Sequence, residues 1–249
     1  MQSLKNTDND VLKLNNVSKK FGGVVAADNI SFSMYPGEVF GLIGPNGAGK
    51  TTLLNLICGI YRINNGKIFL KDTDISKSKI HQISKSGILR TFQHPRLLEH
   101  CDIKTNIVIG MDLAKKRKVK SYEKRNELLE ELLIAANLDK LDLSEVTSKL
   151  SYGQKKLLEI VRSILAEPIV LLLDEPAAGL NNKEIEYVVN LINIATDKNI
   201  AVLLIEHSMD LVMSICDRIT VLNFGKQIAL GTPTEIQSNE DVIKAYLGG

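Results

Sequence analysis

Gly44-Pro45-Asn46-Gly47-Ala48-Gly49-Lys50-Thr51 fits the pattern G-x-x-x-x-G-K-[ST]. These residue types at this spacing suit phosphate binding. Glycines let the backbone N–H groups turn inward and approach phosphate oxygens without a Cβ in the way. A helix beginning near Lys50 would aim its positive end at the same anion. Lys50 would reach the β- and γ-phosphates, and the Thr51 hydroxyl, followed by Thr52, would serve the nucleotide and a Mg²⁺ ion.

Asp174-Glu175 follows four apolar residues, Val170–Leu173. That places Asp174 at the end of a buried strand, where open α/β sheets bind ligands. Asp174 would hold Mg²⁺ through water, and Glu175 could act on the attacking water. Leu150-Ser151-Tyr152-Gly153-Gln154 precedes an apolar-periodic stretch. Ser151 and Gly153 there serve either as an ordinary helix cap or as a second anion site, with hydroxyl, backbone N–H groups and helix dipole converging.

The elements that must position these residues can be read from apolar periodicity. Short β-type runs at 11–17 and 29–34 flank Gly22-Gly23, and Val39–Ile43 reads as a buried strand running into the glycine loop. The stretch 49–59 reads as a helix, 66–70 and 88–92 as strands, and 105–138 and 154–166 as helical. After Pro168 strand and helix alternate (169–173, 183–195, 200–205, 208–216, 218–222), which argues for a parallel sheet with crossover helices. The expected fold is α/β, with the all-helical middle inserted into it.

Composition sets limits on the partners. The 249 residues carry 31 basic and 29 acidic side chains, a formal charge of +2, so no electrostatic footprint for nucleic acid is expected. Trp is absent and aromatics are 5%, which argues against a base-stacking surface. The N-terminus lacks the apolar core of a secretory signal, and apolar runs such as 169–173 are far short of a membrane span. Cys58, Cys101 and Cys216 read as idle or buried thiols. The basic run Lys115-Lys116-Arg117-Lys118, with Lys120, reads as a solvated loop or a contact for anionic lipid head groups.

Together these motifs resemble those of the ATP-binding cassette (ABC) ATPases, in family order and over nearly the whole chain. Leu150–Gln154 resembles the signature LSGGQ, with Tyr152 in place of a glycine. Gln93 in Thr91-Phe92-Gln93 resembles the Q-loop glutamine that senses Mg²⁺ and the γ-phosphate. Ala178-Gly179-Leu180-Asn181 resembles the D-loop, His207 the switch histidine, and Phe21 the aromatic that stacks on adenine. The resemblance implies a P-loop NTPase with a RecA-like core, an N-terminal antiparallel β part and a helical subdomain at about 94–165. It implies ATP held between two ATPase subunits head to tail, on the Lys50 loop of one and beneath the Ser151/Gly153/Gln154 turn of the other. Glu175 would then be the general base, assisted by His207, Gln93 and Lys50, with Thr51, Gln93 and Asp174 around Mg²⁺.

Finer features are similar to the ATPase subunits of branched-chain amino-acid importers: Thr91–Leu97, the Leu-Ser-Tyr-Gly-Gln form, Asp174–Asn181, and the ending Asp241–Gly248. Such a subunit would lie on the cytoplasmic face of the membrane, bound to permease subunits, with no nucleic-acid partner. The apolar pair Leu97–Leu98 is expected to be exposed for that docking. Related importers of urea and amides, lipid or lipopolysaccharide exporters, and soluble ABC proteins of translation or DNA repair are the alternatives. Lys155-Lys156 depart from the Gln-Arg-type residues usual after the signature, a change a helix face would be expected to tolerate.

Overall fold

In the computed structural model, residues 9–116 and 122–247 are described. The basic run therefore lies largely outside the described residues. The N-terminal half runs β1 (Leu12–Phe21), β2 (Val24–Met34), β3 (Val39–Ile43), α1 (Lys50–Ile57), β4 (Asn65–Leu70), β5 (Thr73–Asp74), α2 (Ile80–Ser86) and β6 (Ile88–Arg90). Helices α3 (Ile103–Lys116), α4 (Tyr122–Ala135) and α5 (Tyr152–Leu165) follow. The chain then alternates: β7 (Val170–Asp174), α6 (Asn182–Asp197), β8 (Ala201–Ile205), α7 (Met209–Ile215) and β9 (Arg218–Asn223). It ends with β10 (Lys226–Gly231), α8 (Pro233–Gln237) and α9 (Glu240–Leu247).

The strands form one mixed sheet in the order β5-β4-β1-β2-β10-β9-β3-β8-β7-β6. Strands β9, β3, β8, β7 and β6 are parallel neighbours, whereas β2, β1, β4 and β5 pair antiparallel. The expected α/β class, with an antiparallel N-terminal part and helices inserted between β6 and β7, is what the chain adopts. The two β-type runs flanking Gly22-Gly23 extend until they meet in a hairpin, because Phe21 and Val24 still pair across the turn.

Strands β3, β7 and β8 are buried at every position. Their side chains alternate between two apolar layers. Val39, Ile43, Leu171, Leu173, Val202 and Leu204 join the cluster that includes Ile107, Leu132, Leu158 and Val161 from the inserted helices. Phe40, Leu42, Val170, Leu172, Leu203 and Ile205 face the opposite layer, with Leu53, Leu54 and Ile57 of α1 and Leu12, Leu14 and Ile30 of the antiparallel strands. A sheet covered on both faces explains why these strands read as unbroken apolar runs.

Five elements were not legible as such: β5, α2, β10, α8 and α9 are short or half-exposed, so their apolar pattern is weak. Burial pushes the Cys58 thiol up to about 11 and that of Cys216 to about 12. All three thiols are free, consistent with the reading of idle or buried cysteines.

Candidate functional site

Because β3, β8, β7 and β6 are parallel neighbours, their carboxyl ends lie along one edge of the sheet. The glycine loop leaves β3, Glu206-His207 leave β8, Asp174-Glu175 end β7, and the segment carrying Gln93 leaves β6. Strand order thus gathers residues spread over more than 160 positions of sequence.

A cavity of about 340 Å³ opens at this edge, lined by Asn46, Gly47, Ala48, Gly49, Lys50, Thr51, Thr52, Glu175 and His207, with Val24, Val25, Ala26 and Phe224 at its apolar side. Its floor requires glycine at Gly49, where φ is +105° and a Cβ would stand 2.4 Å from the Ala26 carbonyl oxygen. Gly47, also at positive φ, has open space before it. The N–H groups opening α1 have no side-chain cap, which leaves the helix start free for an anion. Lys50 is 7% exposed and donates to the carbonyls of Gly44 (2.6 Å) and Pro45 (3.0 Å). Burial lowers its pKa, opposed by the charges of Glu175 and Asp174.

Glu175 has φ of +50°, a strained value for a side-chain-bearing residue. The bend turns the chain out of β7, while the Glu175 N–H still donates to the Ile205 carbonyl. Its carboxylate is held on both sides: Gln93 Nε2 donates to Oε2 at 2.9 Å, and His207 Nε2 lies 2.8 Å from Oε1. Glu206, the neighbour of His207, is buried. Its carboxylate accepts from the N–H groups of Ala177 (2.6 Å) and His207 (3.2 Å). Burial raises its pKa.

Asp174 is engaged elsewhere. Arg90 Nη2 lies 2.7 Å from its Oδ2, and Arg90 Nη1 donates to Asn55 Oδ1 at 2.6 Å. Thr51 lines the cavity, whereas Asp174 and Gln93 do not. Hydroxyl, amide and carboxylate oxygens are the hard donors that suit Mg²⁺. Among the described residues no group of three or more His, Cys, Asp and Glu forms a metal cluster.

The second candidate anion site lies apart. Ser151 and Gln154 line a different cavity, also of about 340 Å³, with Asn181, Lys183 and Glu184. Ser151 is the N-cap of α5 in a reciprocal box: its Oγ accepts from the Gln154 N–H, and Gln154 Oε1 accepts from the Ser151 N–H. Asn181 and Glu184 make the same box at α6. Gly153 lies against that box, since a Cβ there would stand 2.0 Å from Glu184 Oε1. Phe21, at the end of β1, packs edge-on against Tyr61 with ring centroids 5.0 Å apart and does not line the loop cavity.

Two expectations need correction. Lys156 does not sit on a tolerant helix face: it is 2% exposed, and its ammonium donates to the carbonyls of Glu175 and Ala178. It fixes the bend after β7 from the side of α5. Leu97 is not the exposed half of its pair, because it packs against the core, while Leu98 is 46% exposed.

Sequence reasoning missed Arg90, Glu159 and Arg162. Glu159 Oε1 accepts from the Arg96 N–H, and Arg162 Nη2 donates to the Arg96 carbonyl. Both peptide groups of Arg96 are thus held by α5. The signal was present for Arg90, a charge closing an otherwise apolar strand, and for Glu159, a carboxylate amid the apolar residues of α5.

The glycine loop, the Asp174-Glu175 strand end and His207 on one parallel sheet edge define a P-loop nucleotide-binding fold, and comparison with known proteins places it further. Residues 27–178 match the family model described as ABC transporter, and residues 226–249 match that described as branched-chain amino acid ATP-binding cassette transporter. The chain belongs to the ABC transporter family as an ATP-binding, ATP-hydrolysing subunit. It is 40% identical to the high-affinity branched-chain amino acid transport ATP-binding protein LivG of Escherichia coli K12, over 96% of this chain and 98% of LivG. The BraF protein of Pseudomonas aeruginosa PAO1, with the same description, is 39% identical over 96% of this chain and 98% of BraF. Among solved structures, the ADP conformation of MJ1267, an ATP-binding cassette of an ABC transporter, superposes with a TM-score of 0.82 at 30% identity, covering 96% of this chain and 99% of that one. Among the described residues no helix is long and apolar enough to cross a membrane.

Proposed function

We propose that this chain powers an importer of branched-chain, hydrophobic amino acids from the cytoplasmic face of the membrane, bound to permease subunits. Support comes from the full-length likeness to LivG and BraF and from the match of residues 226–249 to the branched-chain subgroup model.

The observation that carries the chemistry is the Glu175 carboxylate, held between Gln93 and His207 at the edge of the cavity that contains Lys50 and Thr51. ATP lies with its phosphates on the N–H groups of the loop 44–51, and Phe21 at the hairpin end takes the adenine ring. Lys50 exchanges its two loop carbonyls for β- and γ-phosphate oxygens. Glu175 accepts a proton from water as it attacks the γ-phosphorus, and the bond to the β–γ bridging oxygen breaks, leaving ADP and phosphate. His207 stabilises charge on the transferred group, and Gln93 orients Glu175 and the water. Thr51, with Gln93 and Asp174, would hold Mg²⁺, whose charge offsets that of the phosphate oxygens when bound.

Ser151 and Gln154 line a different cavity from Lys50; with the family likeness, this supports the reading that the Ser151/Gly153/Gln154 turn serves the nucleotide of a neighbouring ATPase subunit. Helices between about 94 and 165 form the subdomain that carries this turn. Glu175→Gln keeps the side chain's size but removes the base, so ATP should persist and hold a dimer closed. Adding Ser151→Arg should abolish that dimer while the Lys50 loop still binds ATP. Light scattering with nucleotide titration decides it: a double variant that dimerises as readily as the single reduces Ser151 to a helix cap.

A further inference from the structure

Tyr152 occupies the signature position where the family pattern has glycine, and its side chain reaches two other segments of the site. Its hydroxyl donates to the backbone carbonyl of Gln93 at 3.1 Å. Its ring lies against Gly179, where an added Cβ would stand 3.1 Å from Tyr152 Cε1. The ammonium of Lys156 sits 5.8 Å from the ring centroid. Burial holds the phenol above its ordinary range, so it remains a donor at neutral pH. Gln93 passes the connection on, because its amide donates to Glu175.

The same helix grips the far end of this segment. Glu159 and Arg162, about two and three turns along α5, bond the N–H and the carbonyl of Arg96. The stretch from Gln93 to Arg96 is therefore tied to α5 at both ends, and only the Tyr152 end adjoins the signature turn. A glycine at 152 has no atoms with which to make that tie.

We propose that Tyr152 is a positioning residue that couples the signature turn to Gln93 and, through Gln93, to Glu175. This rests on the reading that the turn faces a neighbouring subunit's ATP while Glu175 serves its own. On that reading Tyr152 joins the two nucleotide sites of the pair. When a neighbour's nucleotide draws the turn toward it, the Gln93 carbonyl follows the phenol, and the Gln93 amide shifts against the Glu175 carboxylate. Engagement at one site thereby sets the alignment of the base at the other.

The test uses the ATPase pair assembled with its membrane subunits. Tyr152→Phe keeps the ring on Gly179 and removes only the hydroxyl; Tyr152→Gly removes both contacts. Loss of one hydrogen bond should lower kcat about fivefold in Tyr152→Phe, and the Hill coefficient for ATP should fall toward one. Tyr152→Gly should lose more. ATP affinity of the isolated full chain should stay at the wild-type value in Tyr152→Phe, and its thermal midpoint should fall by no more than a few degrees, the cost of one hydrogen bond, whereas a merely structural role would lower turnover only in step with the midpoint. Wild-type kcat and Hill coefficient in Tyr152→Phe, or a loss that follows the thermal midpoint, overturns the proposal. If Ser151→Arg still breaks the ATP-held dimer in that case, the shared-site reading survives and only the role of Tyr152 fails. If Ser151→Arg leaves the dimer intact, the shared-site reading fails and the proposal with it.

Discussion

Arg90 closes β6 with its guanidinium 2.7 Å from the carboxylate of Asp174, which closes the neighbouring strand β7. Their side chains are only 7% and 11% exposed. The strand-end carboxylate beside the phosphate loop is therefore paired and fixed before any ligand arrives. Breaking such a buried pair from one side typically costs about 3–5 kcal/mol. Arg90→Met should lower unfolding stability by about that much, and Arg90→Met with Asp174→Asn should recover most of it. Urea denaturation of the three proteins measures this; an additive double variant would refute the pairing.

Lys50→Ala should abolish ATP hydrolysis while the fold persists, because it removes the cation from the β- and γ-phosphates and leaves the loop carbonyls beside an open cavity. The loss should exceed that of Phe21→Ala, which on the proposed reading removes only adenine stacking, a contact typically worth about 1–3 kcal/mol. Steady-state ATPase at saturating MgATP compares the two. Near wild-type turnover in the Lys50 variant would contradict the assignment of the loop.

Lys156→Met should be costly although it keeps the length of the side chain. It takes the ammonium from the Ala178 carbonyl and leaves the Glu175 carbonyl with only the Ala178 N–H at the strained turn, a penalty of about 1–3 kcal/mol for an unsatisfied group. The turn also carries the Glu175 side chain, so turnover should fall along with the thermal midpoint. A variant with both values unchanged would show that the turn holds itself.

Glu159 gives a pH prediction. Burial raises its pKa above the ordinary 4.5, with its bond from Arg96 and the charge of Arg162 opposing. The folded protein therefore holds this proton to higher pH than the unfolded chain. Stability relative to Glu159→Gln is then greatest below 4.5 and falls as pH rises through the folded value. Denaturant midpoints of both proteins from pH 4.5 to 7 should show the difference shrinking upward; a difference growing with pH would contradict the shift.

Leu98→Glu should leave ATP binding by the isolated chain unchanged and weaken assembly with the permease subunits. Leu98 is the exposed member of its pair, whereas Leu97 is partly buried against the core. Leu97→Glu should therefore destabilise the fold itself. Pull-down with the membrane subunits and thermal midpoints separate the two effects.

The residues proposed to meet phosphate were legible along the chain alone. Glycine spacing, the lysine and the hydroxyl act within one loop, so their chemistry depends on a few consecutive backbone angles. The buried strands were equally legible, since both faces of β3, β7 and β8 are covered and every position had to be apolar. The ordered motifs also indicated which residues would converge with that loop. How they are held followed from the packing alone. Glu175 between Gln93 and His207, Asp174 on Arg90, and Lys156 on the carbonyls of Glu175 and Ala178 join positions 19 to 84 residues apart. Such contacts depend on strand order and on the bend at Glu175, and no local pattern encodes either. Lys156 shows the limit most plainly: beside Lys155 it reads as one more solvated charge, and only the packing of α5 against the end of β7 makes it a buried donor.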